Sequence, residues 1–398
     1  MSKWREIELG EVIETNKSSI NREYPHSEIL YLDTGSITCN RINVLQQFEL
    51  ASAPSRAKRL VKDLDIVYSS VRPNQLHYGI IRNPENNLVV STGFVVITCN
   101  QDEIAPYFLY HYLSQNSTTE FLHSIAEGST SAYPSLKPSY IEALEILLPP
   151  LDEQRAIASV LSSLDDKIDL LHRQNRTLEQ MAETLFRQWF VEEADEGWEE
   201  VTLKSLCEII TKGTTPTSLK RQFVEVGINF IKVNCIDDKG NFLYDKFNFI
   251  DEETHNVALK RSILQEGDFL YSIAGTIGRI SEVTQEVLPA NVNQALAILR
   301  VDSELVNPYY VKYSLKDPNV TFDLHSKIVH AVQPNLSLGE IGSTLIPLPD
   351  KETRQKFNEV INPVQEKIKS NQTQIRTLTA LRDTLLPKLM SGEVRVNI

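Results

Sequence analysis

Residues 151–191 have the sequence LDEQRAIASVLSSLDDKIDLLHRQNRTLEQMAETLFRQWFV. Alternating steps of four and three residues from Ile157 reach ten positions, of which eight are large and apolar. These positions are Ile157, Leu161, Leu164, Ile168, Leu171, Asn175, Leu178, Ala182, Leu185 and Trp189. The spacing is typical of a coiled coil, so this stretch predicts one long helix with a narrow apolar seam.

A second stretch near the C-terminus carries a weaker copy of the pattern. The same steps from Phe357 reach Ile361, Val364, Ile368, Asn371, Ile375, Leu378, Arg382, Leu385 and Leu389. Each run would form a helix roughly 50 Å long. Because neither helix can bury its stripe alone, we expect them to pair antiparallel within the chain, with Asn175 opposite Asn371 fixing the register. The alternative is two unrelated, solvated helices.

Length and composition indicate a globular protein of two or three domains. The chain has 398 residues, of which 41% are apolar and 23% charged. No apolar run approaches the length of a membrane span, and the N-terminus has no signal-peptide core, so we expect a cytoplasmic protein that binds no membrane. The four cysteines form no CxxC pair and the histidines no close ligand pair, so no metal site is expected.

The net charge of -13 argues, taken alone, against a nucleic-acid partner. Counting Lys and Arg against Asp and Glu gives -5 for residues 1–150, -6 for 151–196, -5 for 197–348 and +3 for 349–398. No segment is strongly basic. A contact with DNA would therefore need local basic loops and help from a more basic partner.

The two blocks that precede the helices resemble one another in order, which indicates a tandem duplication. Residues 4–9, 65–69, 106–110 and 146–149 recur at 198–203, 268–272, 308–312 and 345–347. Segments such as 88–98 and 227–233 are typical of strands, and Pro106 and Pro308 are suited to the first position of a helix.

The sequence thus predicts an α+β fold in which two similar strand-rich globules are separated by an intramolecular antiparallel coiled coil with pseudo-two-fold symmetry. The expected boundaries are 1–150 for the first globule, 151–193 for the first helix, 194–348 for the second globule and 349–392 for the second helix. Such a rod would hold two reading heads at a fixed distance. DNA is a target that would require two heads at a fixed distance, because two half-sites are met on a helix that repeats about every 34 to 36 Å.

Several segments resemble the specificity subunits of type I restriction-modification systems. LPPLDEQRAIASVLSSLDDKIDLLHRQNRTLEQMAETLFRQWF is similar to their central conserved helix, and LRDTLLPKLMSGEVRV is similar to the end of their second one. Residues 54–75, the stretch TKGTTPT at 211–217, and the pair AYPSL and VQPNL are similar to parts of their target-recognition domains. The resemblance covers essentially the whole chain, although the second helix begins LPDKETRQKF and has Arg382 on its seam.

The resemblance implies two target-recognition domains that each read one half of a split, asymmetric double-stranded DNA sequence. It implies docking of two modification subunits on the helices, and possibly of two restriction subunits. S-adenosylmethionine, ATP and Mg²⁺ would be bound by those partners and not by this chain, which would have no catalytic residues. In restriction and DNA modification, this chain would contribute only the recognition of the DNA sequence.

Base readout needs Arg, Lys, Asn and Gln on loops that can enter a groove. In the first globule the candidates are Arg56, Lys58, Arg59 and Lys62, then Ser70, Arg72, Asn74, Gln75, His77 and Tyr78, with Lys17, Arg22, Ser129, Thr130 and Tyr133 as weaker additions. In the second they are Lys212, Thr214, Thr215, Lys232, Asn234, Thr276, Arg279, Asn293, Gln294, Gln333 and Asn335. Any of them could equally be an ordinary solvated position, and Gly275 and Gly278 could serve a plain hairpin turn.

Other motifs point away from an enzyme. The stretch 307–310, NPYY, resembles a methyltransferase signature but lacks its second proline, so an asparagine-capped helix start is favoured. No glycine is followed by lysine, so there is no phosphate loop. The main alternative to a DNA-specificity module is a non-catalytic coiled-coil scaffold whose globular ends bind proteins.

Overall fold

The structure is a computed structural model that describes residues 4–128, 135–195, 197–328 and 334–396. The chain divides into two compact units. Unit 1 comprises Met1–Arg173 and Asn371–Ile398, and unit 2 comprises Gln174–Ser370. The division falls inside both long helices, so each unit contains a part of each.

The described residues of unit 1 form twelve strands, three short helices and parts of the long helices. Its strands are β1 (Arg5–Glu8), β2 (Ile13–Thr15), β3 (Glu28–Leu32), β4 (Ile37–Thr38), β5 (Arg41–Ile42), β6 (Gln46–Glu49), β7 (Ala57–Leu60), β8 (Ile66–Ser69), β9 (Tyr78–Ile80), β10 (Leu88–Ser91), β11 (Phe94–Cys99) and β12 (Glu145–Leu148). Its short helices are α1 (Pro106–Leu113), α2 (Asn116–Glu127) and α3 (Pro138–Glu142). The first long helix, α4, spans Leu151–Arg187 and continues as a π-helical turn, Gln188–Glu192.

Two four-stranded sheets form the body of unit 1. One has the order β2-β11-β8-β9 and is antiparallel throughout. The other has the order β6-β3-β10-β7, in which only β3 and β10 run parallel. The expected strand at 88–98 is in fact two strands, β10 and β11, that belong to different sheets, because the chain turns at Thr92 and Gly93.

Unit 2 repeats this plan with nine strands. They are β13 (Glu199–Thr202), β14 (Cys207–Lys212), β15 (Ile228–Ile231), β16 (Asn248–Ile250), β17 (Phe269–Ser272), β18 (Ile280–Glu282), β19 (Ala290–Val292), β20 (Leu296–Val301) and β21 (Leu345–Leu348). Its helices are α5 (Pro308–Lys316), α6 (Pro318–Ser326), α7 (Leu338–Gly342) and the long α8 (Lys351–Ser391).

The two units share most of their strand pairings. The order β14-β20-β17-β18 matches β2-β11-β8-β9, and the pair β13-β21 matches β1-β12. The three-stranded sheet β16-β15-β19 retains the parallel pair, since β15 and β19 run parallel as β3 and β10 do. The predicted duplication is therefore confirmed in backbone topology.

The predicted seams of α4 and α8 are the protected faces of both helices. Every seam position of either helix is buried or half-buried. In unit 1, Ile157 and Leu161 share a core with Leu386 and Leu389. In unit 2, Phe186 shares a core with residues near the start of α8, including Phe357 and Ile361. Early residues of one helix thus meet late residues of the other, so the pairing within each unit is antiparallel.

Three polar residues interrupt the seams, namely Asn175, Asn371 and Arg382. Asn175 donates to the main-chain oxygen of Ile368 at 3.3 Å, and Asn371 is fully buried. A direct contact between the two asparagine side chains stays a prediction. Arg382 is compensated across the seam, since its Nη1 donates to Asp165 Oδ1 at 3.1 Å.

The fold class is confirmed as α+β, with two strand-rich units and two long helices. The helix starts expected at Pro106 and Pro308 are also confirmed. Asn307 caps α5 as predicted, because its side-chain oxygen accepts from the N–H of Tyr309. In the part of the chain that the structure describes, no helix combines the length and apolar character needed to cross a membrane.

Candidate nucleic-acid interface

The loop after β8 presents three of the predicted contacts to solvent. Arg72 has φ 48° and Leu76 φ 59°, so the chain turns sharply on either side of the short helix Pro73–Gln75. Each left-handed residue costs about 1 kcal/mol or more, so the surrounding structure must hold the loop in place. Arg72, Asn74 and Gln75 are exposed as a result. Their guanidinium and amide groups are the chemistry that reads guanine and adenine.

Ser70 anchors this loop. Its hydroxyl donates to the carbonyl oxygen of Gly93 at 2.8 Å, and its own carbonyl accepts from the N–H of Leu136 at 2.7 Å. Ser70 therefore holds the loop in place, and its hydroxyl is already engaged in a hydrogen bond within the protein.

His77 and Tyr78 belong to the body of the unit. His77 Nδ1 lies 2.6 Å from the carbonyl oxygen of Ile37, the first residue of β4. Tyr78 is buried and stacks on Tyr68 with ring centroids 5.7 Å apart. Burial also raises the pKa of Tyr78 well above its ordinary value. The buried side chain of Tyr78 cannot meet a ligand in this conformation, so Tyr78 is not part of the candidate interface.

The basic cluster of unit 1 lies along β7. Arg56 and Lys58 are exposed, whereas Arg59 is half-buried. The carbonyl oxygens of Arg56 and Lys58 accept from the N–H groups of Thr92 and Ile20, both at 2.8 Å. These bonds fix the backbone and leave the charged groups free to project. Phosphate contacts need this arrangement more than they need a fixed side-chain geometry.

In unit 2, two segments predicted to contact DNA are joined by hydrogen bonds. The N–H and hydroxyl of Thr215 both donate to Gln294 Oε1, at 3.2 and 2.5 Å. Between Lys212 and Thr214, a Cβ on Gly213 would lie 1.6 Å from the carbonyl oxygen of Val292, so only glycine fits there. This close approach brings residues 212–215 against 293–294 and forms one polar strip, defined as Lys212, Thr214, Thr215, Asn293 and Gln294.

Arg279 is used by the structure itself. Its Nε donates to Asp238 Oδ1 at 2.9 Å and its Nη1 to the carbonyl oxygen of Ile236 at 2.7 Å. Gly275 and Gly278 have φ 78° and 99° and form the turn between β17 and β18, which favours the hairpin explanation for both glycines. Arg279 therefore fixes the loop that presents the exposed Thr276.

The remaining candidates are dispersed. Lys232 Nζ lies 4.5 Å from the centroid of the Phe223 ring, while Asn234 and Asn335 are exposed. Asn335 forms a bridge with Ala274, as Ser135 does with Val71 in unit 1. Ser129, Thr130, Tyr133 and Gln333 lie outside the described residues.

Polar networks that the sequence did not indicate hold each unit on its part of the long helices. In unit 1, His111 Nε2 lies 3.0 Å from Ser162 Oγ, and Nδ1 lies 3.8 Å from Asp165 Oδ2. Burial, together with Arg382 and Arg82, lowers the pKa of His111 to about 3. His111 is therefore neutral at physiological pH.

In unit 2 the equivalent position on α5 is Tyr313, and the network is ionic. Tyr313 donates to Glu179 Oε2 at 3.0 Å, and Lys312 and Lys316 both form ion pairs with Glu179. Burial raises the pKa of Glu179, but the two lysines outweigh it and lower that pKa to about 2. Polar residues at helical spacing on otherwise apolar faces were the available signal for both networks.

The family comparison decides what these two units are. The model of the type I restriction modification DNA specificity domain matches residues 1–180 and again residues 195–380. The chain belongs to this family. Each of the two specificity domains covers one of the duplicated blocks, and the chain is a specificity subunit of the type I restriction-modification class.

Individual relatives of this specificity subunit agree. The chain is 26% identical to the type I restriction enzyme HindI specificity subunit of Haemophilus influenzae, over 99% of this chain and 100% of that protein. It is 30% identical to the MjaIX specificity subunit of Methanocaldococcus jannaschii, over 80% of this chain and 76% of that one. In fold, it is similar to the crystal structure of a type I restriction-modification S subunit from M. genitalium, with a TM-score of 0.56, 18% identity, and coverage of 97% and 96% of the two chains.

Proposed function

We propose that this specificity subunit recognises a bipartite, asymmetric sequence in double-stranded DNA, with one target-recognition domain for each half. The observation that carries the proposal is the duplicated backbone with unlike loop chemistry. At the bridges that join the β8 and β17 loops to the segments beginning at 135 and 335, the two loops differ. Unit 1 exposes Arg72, Asn74 and Gln75 there, whereas unit 2 exposes Thr276. Unlike side chains on a like frame favour two different half-sites.

The proposed division of the chain follows from the same reasoning. Residues 1–150 and 194–348 act as the target-recognition domains, and residues 151–193 and 349–392 act as the spacer and as the docking site for two modification subunits. Restriction subunits would join the same complex. Methylation of adenine with S-adenosylmethionine, and translocation and cleavage with ATP and Mg²⁺, take place in those partners. The subunit works in the cytoplasm, where the DNA is.

The overall acidity is compatible with this role because phosphate binding depends on local charge. Arg56 and Lys58 are exposed, and in the described parts of the chain neither is in an ion pair. The partner subunits can supply further positive charge around the DNA.

The experiment is to express the chain with the modification subunit of its own system and to map methylated adenines across the host genome. We expect one motif with two unlike halves and a fixed gap. A triple variant, Arg72→Ala with Asn74→Ala and Gln75→Ala, should relax or abolish one half and leave the other unchanged. Methylation without a split motif would contradict the proposal, as would a triple variant that alters both halves equally.

A further inference from the structure

The edge strand β7 of unit 1 has an equivalent in unit 2 that the sequence did not indicate. In unit 1, Val89 of β10 lies opposite Leu60 of β7. In unit 2, Asn291 of β19 lies opposite Ile263 in the same way. Since β10 and β19 are the parallel partners of β3 and β15, these two pairings are equivalent. Residues 260–263 of unit 2 therefore stand where residues 57–60 stand in unit 1.

This equivalence aligns two basic segments. Lys58 precedes Leu60 by two residues, and Arg261 precedes Ile263 by two residues. Lys260 lies beside Arg261, and all three cations are exposed. Unit 2 therefore carries a basic pair on the edge that in unit 1 carries the predicted phosphate contacts.

The neighbouring segment supports the same alignment. In unit 1, the chain that follows β2 runs along β7, where the N–H of Ile20 donates to the carbonyl oxygen of Lys58 at 2.8 Å. In unit 2, the last residue of β14 meets the equivalent edge, where Arg261 Nη2 donates to the carbonyl oxygen of Lys212 at 3.4 Å. Lys260 and Arg261 consequently adjoin the polar strip of unit 2.

The charges at this edge are not neutralised by the protein. Across the residues that the structure describes, Lys212, Lys260 and Arg261 are in no ion pair, whereas Arg221 and Arg300 of the same unit are paired with Glu253 and Asp268. Lys260 and Arg261 are exposed and Lys212 is half-buried. In a chain whose net charge is -13, such a group of unpaired cations is where a polyanion can approach. The hydrogen bond from Arg261 to a carbonyl leaves its charge uncompensated.

We propose that Lys260 and Arg261, with Lys212, bind the phosphate backbone of DNA next to the half-site read by unit 2. This inference rests on the proposed function and extends it to Lys260 and Arg261, which are outside the predicted contact set. Lys and Arg on a strand edge position the duplex, while Thr214, Thr215 and Gln294 beside them offer groups suited to base edges. Because phosphate contacts carry no sequence information, these cations set affinity and leave the recognised sequence unchanged.

The test uses the full chain in complex with its modification subunits and a duplex that carries the mapped methylation motif. Binding is measured over a range of salt concentrations for the wild type and for Lys260→Gln with Arg261→Gln. Each phosphate contact contributes about 0.9 to the slope of log K against log salt, so the variant slope should be shallower by about 1.8. The methylated motif should be the same. The charge-preserving variant Lys260→Arg with Arg261→Lys should keep the wild-type slope.

The matched control is Lys204→Gln with Lys246→Gln, which removes the same charge from exposed positions of unit 2 that lie outside the long helices. Its slope should equal that of the wild type. An unchanged slope in the Lys260 and Arg261 variant would overturn the inference, and so would an equal fall in the control. If the wild-type complex itself bound DNA with no preference for a split motif, the proposed function would fail instead, and the two failures are thus distinguishable.

Discussion

Each unit has a buried carboxylate just before an inner strand, and the two units bind that carboxylate with different side chains. Asp65 precedes β8 and Asp268 precedes β17, and both are buried. Each accepts a hydrogen bond from the N–H three residues earlier, Lys62 at 2.7 Å and Gln265 at 2.8 Å. In this local geometry the two units are alike.

The two units differ in the side chain that the neighbouring strand, β11 or β20, provides as the second partner of the carboxylate. In unit 1, Thr98 donates its hydroxyl to Asp65 Oδ1 at 2.7 Å. In unit 2, Arg300 forms two bonds with Asp268, from Nε and from Nη2, both at 2.8 Å. Burial accordingly raises the pKa of Asp65, although Thr98 and the N–H of Lys62 act against it. The backbone frame was kept after duplication, while the polar partner was free to change.

The junctions with the long helices show the same divergence. Unit 1 uses the neutral His111, and unit 2 uses the ionised Glu179 with two lysines. Equivalent junctions therefore hold a neutral group in unit 1 and an ionised group in unit 2. Mutations and changes of pH should thus affect the stability of the two units differently.

Arg300→Met should have the largest effect on stability, because it leaves the buried carboxylate of Asp268 without its counter-charge. Loss of one partner of a buried ion pair costs about 3 to 5 kcal/mol. Thr98→Val in unit 1 removes only one hydrogen bond and should cost about 1 to 2 kcal/mol. Urea unfolding followed by tryptophan fluorescence can separate the units, since Trp4 lies in unit 1 while Trp189 and Trp198 lie in unit 2.

For this experiment, a W189F and W198F background reports on unit 1, and a W4F background reports on unit 2. Arg300→Thr, which copies unit 1, should recover part of the loss because its hydroxyl can reach the carboxylate. Equal losses for Arg300→Met and Thr98→Val would show that the ion pair adds nothing to the shared frame.

Mild acid should weaken unit 1 before unit 2. The pKa of His111 falls from 6.5 to about 3 on folding, so below pH 6.5 the unfolded chain takes up a proton that the folded unit does not. The contribution is complete above pH 6.5 and declines at about 1.4 kcal/mol per pH unit, or about 2 kcal/mol by pH 5. Asp165 and Arg382 face the same ring, and the comparison with His111→Gln isolates the histidine.

The pKa of Glu179 is that of an acid lowered by folding, and its contribution to stability changes over a lower pH range than that of His111. Its pKa is lowered from 4.5 to about 2, so its contribution is complete above pH 4.5 and is lost only as the pH falls towards 2. Urea midpoints at pH 7 and pH 5 should therefore fall for unit 1 and hold for unit 2, and the fall should shrink in His111→Gln. A fall of the same size in that variant would assign the acid sensitivity to other groups.

The sequence was sufficient for the features that depend on periodicity and order. The seam positions, the duplication and the helix starts at Pro106 and Pro308 all follow from local spacing, and the structure has them. Buried polar groups could not be found in this way, because whether Asp65 or His111 is buried depends on strands and helices distant in sequence.

The interface shows the same limit. Lys212 and Gln294 have residue types suited to DNA contacts, but their adjacency depends on a glycine packed against a distant backbone. Tyr78 also has a suitable residue type, but it is buried and stacks on Tyr68, which the loop sequence alone does not reveal. Arg261 was missed because its alignment with Lys58 exists only in the sheet pairing.

The smallest expected effect concerns the helices that follow the paired sheets. Asn307 caps α5 through its bond from the N–H of Tyr309 and donates from Nδ2 to Asn362 Oδ1 at 2.8 Å, whereas Ala105 at the equivalent place in unit 1 has no side-chain cap. In unit 1 the N–H of Ala105 is instead bound by Gln154 Oε1 at 2.8 Å.

Asn307→Ala should therefore destabilise unit 2 by about 1 kcal/mol, since the N–H at the helix start loses its acceptor. Asn307→Asp keeps the cap and loses only the donation to Asn362, so its urea midpoint should lie between those of the wild type and Asn307→Ala. If Asp and Ala were equally damaging, the bond to Asn362 and not the cap would be the stabilising contact, and the difference between the two units would lie in how α5 meets α8.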